Sequence, residues 1–251
     1  MTHNDTINLS PGWSPDSSKL VYTSYVLGNP DLFILPVVGG RPRRLFGGRG
    51  VSYGADWCKA NNRIAFASSR NKTHNQEIYT INPDGSGLVQ VTYDPWAIDV
   101  SPAWSPDGTH IAFVSNRYGN KPQVLVVPAY GGTPTRVSRT GGYNTDPSWG
   151  SGPLGDYIAY CGRAGGGLDI LAVKLGDGEG IKVMETIALV NRSGADETPS
   201  FSPDGRFVVY SHGFGNNYDL YMTSIREQKP RRITSLPGKE TSPAWSPRLA
   251  P

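Results

Sequence analysis

Asp99, Asp196 and Glu240 are the residues whose placement most suggests chemistry. Each stands three residues ahead of a Pro-x-aromatic string: Pro102-Ala-Trp104, Pro199-Ser-Phe201 and Pro243-Ala-Trp245. Asn8, Ser52 and Asn144 hold the same place before Pro11-Gly-Trp13, Ala55-Asp-Trp57 and Pro147-Ser-Trp149, so the column is polar throughout. Carboxylates converging from such a column would attract a partner's Lys or Arg, or hold a hard cation such as calcium through oxygen ligands. The plainer alternative is that each acid caps its own turn or meets solvent. One residue further on stands a mixed row, Leu9, Tyr53, Val100, Thr145, Glu197 and Thr241, in which Tyr53 is the obvious aromatic anchor.

Other reactive residue types lack the company that catalysis needs. Gly50-Val-Ser-Tyr-Gly54 matches the string of a nucleophile elbow, but that device needs a strand before it and a helix after it. No helical pattern follows here, so Ser52 is not expected to act as a nucleophile. His3, His74, His110 and His212 are isolated, and no His-Glu-x-x-His spacing exists. Cys58 and Cys161 fall at non-equivalent places, so neither a disulfide nor a metal site is expected of them. No phosphate loop or dinucleotide fingerprint is present, and no cofactor is expected.

The elements that must position the polar column are repeated. Pro11-Gly-Trp-Ser-Pro-Asp16, Pro102-Ala-Trp-Ser-Pro-Asp-Gly108, Pro199-Ser-Phe-Ser-Pro-Asp-Gly205 and Pro243-Ala-Trp-Ser-Pro247 are copies of one motif, with degenerate copies at Ala55 to Lys59 and Pro147 to Ser151. The central aromatic falls at Trp13, Trp57, Trp104, Trp149, Phe201 and Trp245, at intervals of about 44 to 52 residues, the period of stacked β-units. In the third repeat, Pro102 to Ser105 is extended and Ser105-Pro-Asp-Gly108 is a tight turn. Ile111-Ala-Phe-Val-Ser115, Gln123-Val-Leu-Val-Val127 and Pro134-Thr-Arg-Val-Ser138 then read as strands. In those turns Asp16, Asp107 and Asp204 read as structural. Strands apolar on successive residues must be covered on both faces, as in small sheets packed face to face. The pattern predicts an all-β propeller occupying residues 1–251 as one domain, with five complete four-stranded blades and the inner strand of a sixth around Trp245. About 30 residues of that sixth blade are expected to be missing; a five-bladed ring with a spare strand is the competing arrangement.

Composition agrees. Gly at 31 and Pro at 21, with 13 Tyr and 6 Trp, suit short strands and tight turns. A formal charge of +3 with scattered basic residues points away from nucleic acid, and Arg43-Arg44 and Arg231-Arg232 read as solvated outer strands. No stretch approaches the ~20 apolar residues that span a bilayer, and no secretory leader pattern is seen at the start.

The repeat, with Asn116-Arg-x-Gly-Asn120 after its second strand and Gly131-Gly132 after its third, resembles the propeller of the TolB family of the Tol-Pal envelope system. Ala97-Ile-Asp-Val-Ser-Pro-Ala-Trp104 is similar to that family's inter-blade connection, and the resemblance runs over residues 9 to 249. It implies a non-catalytic periplasmic interaction scaffold that docks the peptidoglycan-associated lipoprotein Pal at one mouth of the ring, in support of outer-membrane integrity and cell-division constriction. The family's partner-binding positions correspond to Val51, Gly54 and Val100. With Ser52, Tyr53, Asp99, Asn144, Thr145, Asp196, Glu197, Glu240 and Thr241 they form the expected docking set, with no metal or catalytic residue among them. In the family, TolA binding belongs to an N-terminal α/β domain that has no counterpart here, so TolA is not an expected partner of these residues. A propeller binding a sugar or peptide, or one with a lyase or hydrolase site, is the alternative.

Overall fold

The structure, a computed structural model, describes residues 6–70, 75–163, 167–176, 178, 180–235 and 237–247. His3 and His74 lie outside these residues. Twenty strands form five four-stranded antiparallel sheets, each a meander in chain order. Blade 1 is β1 (Asn8–Trp13), β2 (Lys19–Ser24), β3 (Asp31–Pro36) and β4 (Arg43–Phe46). Blade 2 is β5 (Ser52–Trp57), β6 (Ile64–Ser68), β7 (Glu77–Ile81) and β8 (Val89–Gln90). Blade 3 is β9 (Asp99–Trp104), β10 (His110–Ser115), β11 (Gln123–Pro128) and β12 (Thr135–Arg136). Blade 4 is β13 (Asn144–Gly152), β14 (Gly155–Gly162), β15 (Asp169–Leu175) and β16 (Val183–Val190). Blade 5 is β17 (Ala195–Phe201), β18 (Phe207–Phe214), β19 (Asn217–Ser224) and β20 (Arg231–Arg232). The sequence places the extra residues of the fourth repeat in a lengthened loop around Gly176 to Gly180; the structure puts part of them into longer strands.

The continuous apolar runs are used as double-sided spacers. Successive residues of a strand point to opposite faces, so Ile111 and Phe113 of β10 pack into a core shared with blade 2, while Ala112 between them packs into the core shared with blade 4. Leu125 and Val127 of β11 divide from Val124 and Val126 in the same way. Each fully buried Ile or Phe at these seams contributes about 1.5–3 kcal/mol of burial, which is what stacks blade on blade.

The sixth repeat departs from expectation. Residues 241–247 carry no assigned strand, because no second strand lies beside them to complete a ladder among the described residues. The segment is nevertheless held between blades 5 and 1. Trp245 Nε1 donates to the Ser200 carbonyl at 3.1 Å, and Ser17 Oγ donates to the Pro247 carbonyl at 3.2 Å.

The antiparallel meanders give the ring two unlike ends. On one, the turn face, lie the Ser-Pro-Asp-Gly turns between first and second strands and the connections from third to fourth strands. On the other, the loop face, lie the connections between blades and those from second to third strands.

Candidate functional site

The residue just before each Pro column position is left-handed in all six repeats: Ser10 (φ 51°), Gly54 (φ 65°), Ser101 (φ 51°), Asp146 (φ 52°), Thr198 (φ 52°) and Ser242 (φ 55°). In each of the five inner strands the pairing register shifts across this point, between Leu9 and Gly12 in β1 and between Glu197 and Ser200 in β17, for example. A bulge leaves its residues out of the ladder, so the proline's missing N–H costs no strand hydrogen bond. The displaced residues line the wall of a central channel of about 450 Å³, together with the aromatics Trp13, Trp57, Trp104, Trp149, Phe201 and Trp245. Ser242, Pro243 and Trp245 take their places on that wall, so six equivalent segments surround the axis although only five belong to sheets.

The expected negative mouth does not form. Asp99 and Asp196 are wholly buried, and neither lines the channel; nor does Glu240, which is half-buried. The physical reason is register. This column is the first stretch of regular ladder, with Asp99 opposite Ser115 and Asp196 opposite His212, ahead of the bulge that turns residues toward the axis. Asp99 accepts from Arg117 Nη2 at 2.7 Å, and Asp196 is met by Arg192 Nη2 at 3.3 Å and by His212 Nδ1 at 2.9 Å. Burial pushes both carboxyls up, against the pull of Arg117 on Asp99 and of Arg192 on Asp196. Ser52 and Asn144 are buried too, Ser52 against the Ser68 hydroxyl at 3.0 Å and Asn144 donating to Gln123 Oε1 at 3.0 Å. Ser52 thus sits in strand pairing, without the exposed turn a nucleophile requires.

The next row keeps access to the mouth. Val51, Tyr53, Gly54, Val100, Thr145 and Glu197 are half-buried and Thr241 is exposed. Tyr53 and Val100 press one side against the seam between blades 2 and 3. Around blades 4 and 5 the row and the left-handed column beside it carry acids: burial raises the carboxyls of Glu197 and Asp146, and the Asp146 charge adds to the rise at Glu197. The Glu197 carboxylate in turn raises the Tyr218 phenol. Burial, aided by these acids, lifts the Cys161 thiol to about 12, and Cys58 and Cys161 are both free and buried.

Several working residues lie one or two columns from those singled out in the sequence. Asp56 accepts from the Trp104 backbone N–H at 2.7 Å, and Ser148 Oγ accepts from the Phe201 N–H at 3.0 Å. The residue between the proline and the aromatic therefore ties one inner strand to the next. Among the described residues, Asp56 and Asp146 are the acids on the channel wall, and both lie in repeat columns beyond the two singled out in the sequence. The arginine pairs are not simply solvated: Arg44 bridges Asp31 at 2.9 Å and Arg232 bridges Asp219 at 2.8 Å. Asp16, Asp107 and Asp204 each accept from the serine of their own turn, Ser14, Ser105 and Ser202, at 2.6 Å.

Five four-stranded meanders around a channel walled by six equivalent segments define a β-propeller with one differentiated mouth. The chain belongs to the TolB β-propeller family, whose domain model matches residues 1–249. A TolB homolog of Chlorobium luteolum is 40% identical over 129 residues, covering 51% of this chain and 28% of that protein. The Tol-Pal system protein TolB of Anaeromyxobacter dehalogenans is 35% identical over 99 residues, covering 39% of this chain and 22% of its own length. The crystal structure of TolB from Acinetobacter baumannii superposes with a TM-score of 0.79 at 25% identity, covering 97% of this chain and 58% of that one. The matches thus span less than two thirds of each of these relatives. Among the described residues no helix is long and apolar enough to cross a membrane.

Proposed function

We propose that this chain is a non-catalytic docking platform, which receives a Pal-like lipoprotein domain on the loop face around the channel mouth. One observation carries the proposal: six equivalent left-handed positions set a closed rim at one end of the channel, and the accessible row beside it differs from repeat to repeat. A rigid rim with varied side chains suits shape and charge complementarity to another protein. Among the described residues, the charged side chains on the channel wall are Asp56, Lys59 and Asp146, without the His and Arg cluster that a propeller lyase would need. The docking residues are then Val51, Tyr53, Gly54, Val100, Thr145, Glu197, Glu240 and Thr241. Ser52, Asp99, Asn144 and Asp196 hold the rim from behind. The setting is periplasmic, and the role is in envelope integrity and constriction at division.

The test is a calorimetric titration of the chain with the soluble domain of a Pal protein. Saturable binding is expected, weakened at least tenfold by Tyr53→Ala combined with Thr241→Arg while the melting temperature holds. A folded chain that binds an oligosaccharide or a short peptide but not Pal would overturn it.

A further inference from the structure

The loop face over blades 3 and 4 carries aromatic and cationic side chains in one continuous tract. The connection into blade 3 projects Trp96, which is 90% exposed, with Tyr93 beside it at 73%. It is pinned to the next connection, where the Ile98 N–H donates to Asn116 Oδ1 at 2.7 Å, and that connection carries exposed Tyr118. The Arg136 guanidinium lies 5.5 Å from the Tyr118 ring centroid, and Arg163 lies 5.8 Å from that of Tyr143. Gly141 and Gly142 let the connections of this cluster close up: a Cβ on Gly142 would sit 3.3 Å from Lys121 Cδ, and one on Gly141 would sit 3.0 Å from the Arg163 carbonyl.

The exposed charge of the tract is basic, and the half-buried acids of the mouth, Asp146 and Glu197, stand beside it around blades 4 and 5. The acids of the tract are already engaged: Asp99 by Arg117, and Asp94 by the N–H groups of Trp96 and Ala97 at 3.0 and 3.1 Å, with Arg117 Nη1 at 3.8 Å. Lys121, Arg139 and Arg163 are exposed and form no ion pair among the described residues. The Arg136 edge is taken up by Ser138 and Gln123, whereas Arg163, held over the Tyr143 ring, can present its edge to an incoming carboxylate while the ring offers apolar area, a combination suited to proteins with acidic and apolar side chains.

We infer that this tract, built on Trp96, Tyr118, Lys121, Arg139, Tyr143 and Arg163, receives an acidic protein segment that carries apolar side chains. The inference rests on the docking role proposed above and gives the partner's chemistry. Apolar anchoring by Trp96 and the small net charge of the chain favour protein over nucleic acid.

Fluorescence anisotropy would be measured for the chain with a fluorescein-labelled dodecapeptide of alternating Glu and Leu, its Lys and Leu counterpart, and a single-stranded DNA dodecamer. The acidic peptide is expected to bind saturably and more weakly as salt rises. The triple variant Lys121→Glu, Arg139→Glu, Arg163→Glu is expected to lose at least tenfold in affinity at an unchanged melting temperature, and Trp96→Ala to lose about threefold or more. Equal binding by the triple variant, equal binding of the basic peptide, tighter binding of the DNA, or no binding at all would each overturn the assignment. Pal soluble domain bound equally by the triple variant and the unaltered chain would overturn it too, yet leave the docking role standing. Pal bound by neither protein would remove the docking role, and the peptide titration would then judge the tract by itself.

Discussion

The two ends of the ring solve the same geometric problem differently. On the turn face the solution is repeated. Ser14, Ser105 and Ser202 each donate to the aspartate two residues on and accept from the N–H five residues on, at 2.9 to 3.0 Å for Lys19, His110 and Phe207. On the loop face the start of the third strand varies: blades 1, 3 and 5 bring an arginine of the fourth strand to it, with different surroundings, and blade 2 does not. Asp31 and Asp219 take an arginine from the fourth strand, and Gln123 accepts from its own fourth-strand Arg136 but also from Ser138 and Asn144. Glu77 instead gathers the Thr92 hydroxyl, the Asp94 N–H and the Asn75 amide. A turn kept the same in blades 1, 3 and 5 answers to folding, while an end whose surroundings vary between blades is free to match an outside surface.

The largest test of this contrast is at the buried supports of the loop face. Asp99→Lys should cost about 3–5 kcal/mol, because it leaves Arg117 facing a second cation inside the protein, and urea denaturation would read the loss. A variant as stable as the parent would mean that Asp99 is not the support it is taken to be. On the turn face, Asp107→Ala removes acceptors for Ser105 and Thr109, and should cost about 1–2 kcal/mol without changing Pal affinity. A loss of affinity there would erase the distinction between the two ends.

Glu77 sharpens the comparison through pH. Burial raises its carboxyl from 4.5 to about 7, so the folded chain holds that proton more tightly than the unfolded chain does. Its contribution to stability is present in full below 4.5 and is lost as pH rises through about 7. Discounted for partial solvation, the swing is about 1 kcal/mol, and Glu77→Gln should flatten the corresponding slope in melts between these pH values. The smallest stability effect belongs to the exposed cations: Lys121→Glu should stay within about 0.5 kcal/mol by denaturation.

The column chosen from the sequence and the column that lines the channel lie only two residues apart, at Asp99 and Ser101 for instance, yet face different surroundings. Alternation alone would send the two to the same side of a regular strand. The bulge after Val100 breaks that alternation, and it is a tertiary feature: the left-handed turn is stabilised by neighbouring inner strands, including Asp56 reaching Trp104. Nothing in the local string Asp-Val-Ser-Pro announces it. The sixth repeat is a similar case, since Trp245 was recognisable as an inner-strand aromatic but strand assignment depends on a neighbour to pair with.

By itself the sequence determined the repeat, the four-stranded meander, the double-sided apolar strands and the Ser-Pro-Asp-Gly turns, because these depend on side-chain period and on turn preferences within a few residues. Only the tertiary structure decided which polar residues reach the channel, which arginines hold buried acids, and where uncompensated charge gathers beside exposed aromatics. Those outcomes depend on distances between blades, where residues about 45 positions apart in the chain come to within a hydrogen bond of one another.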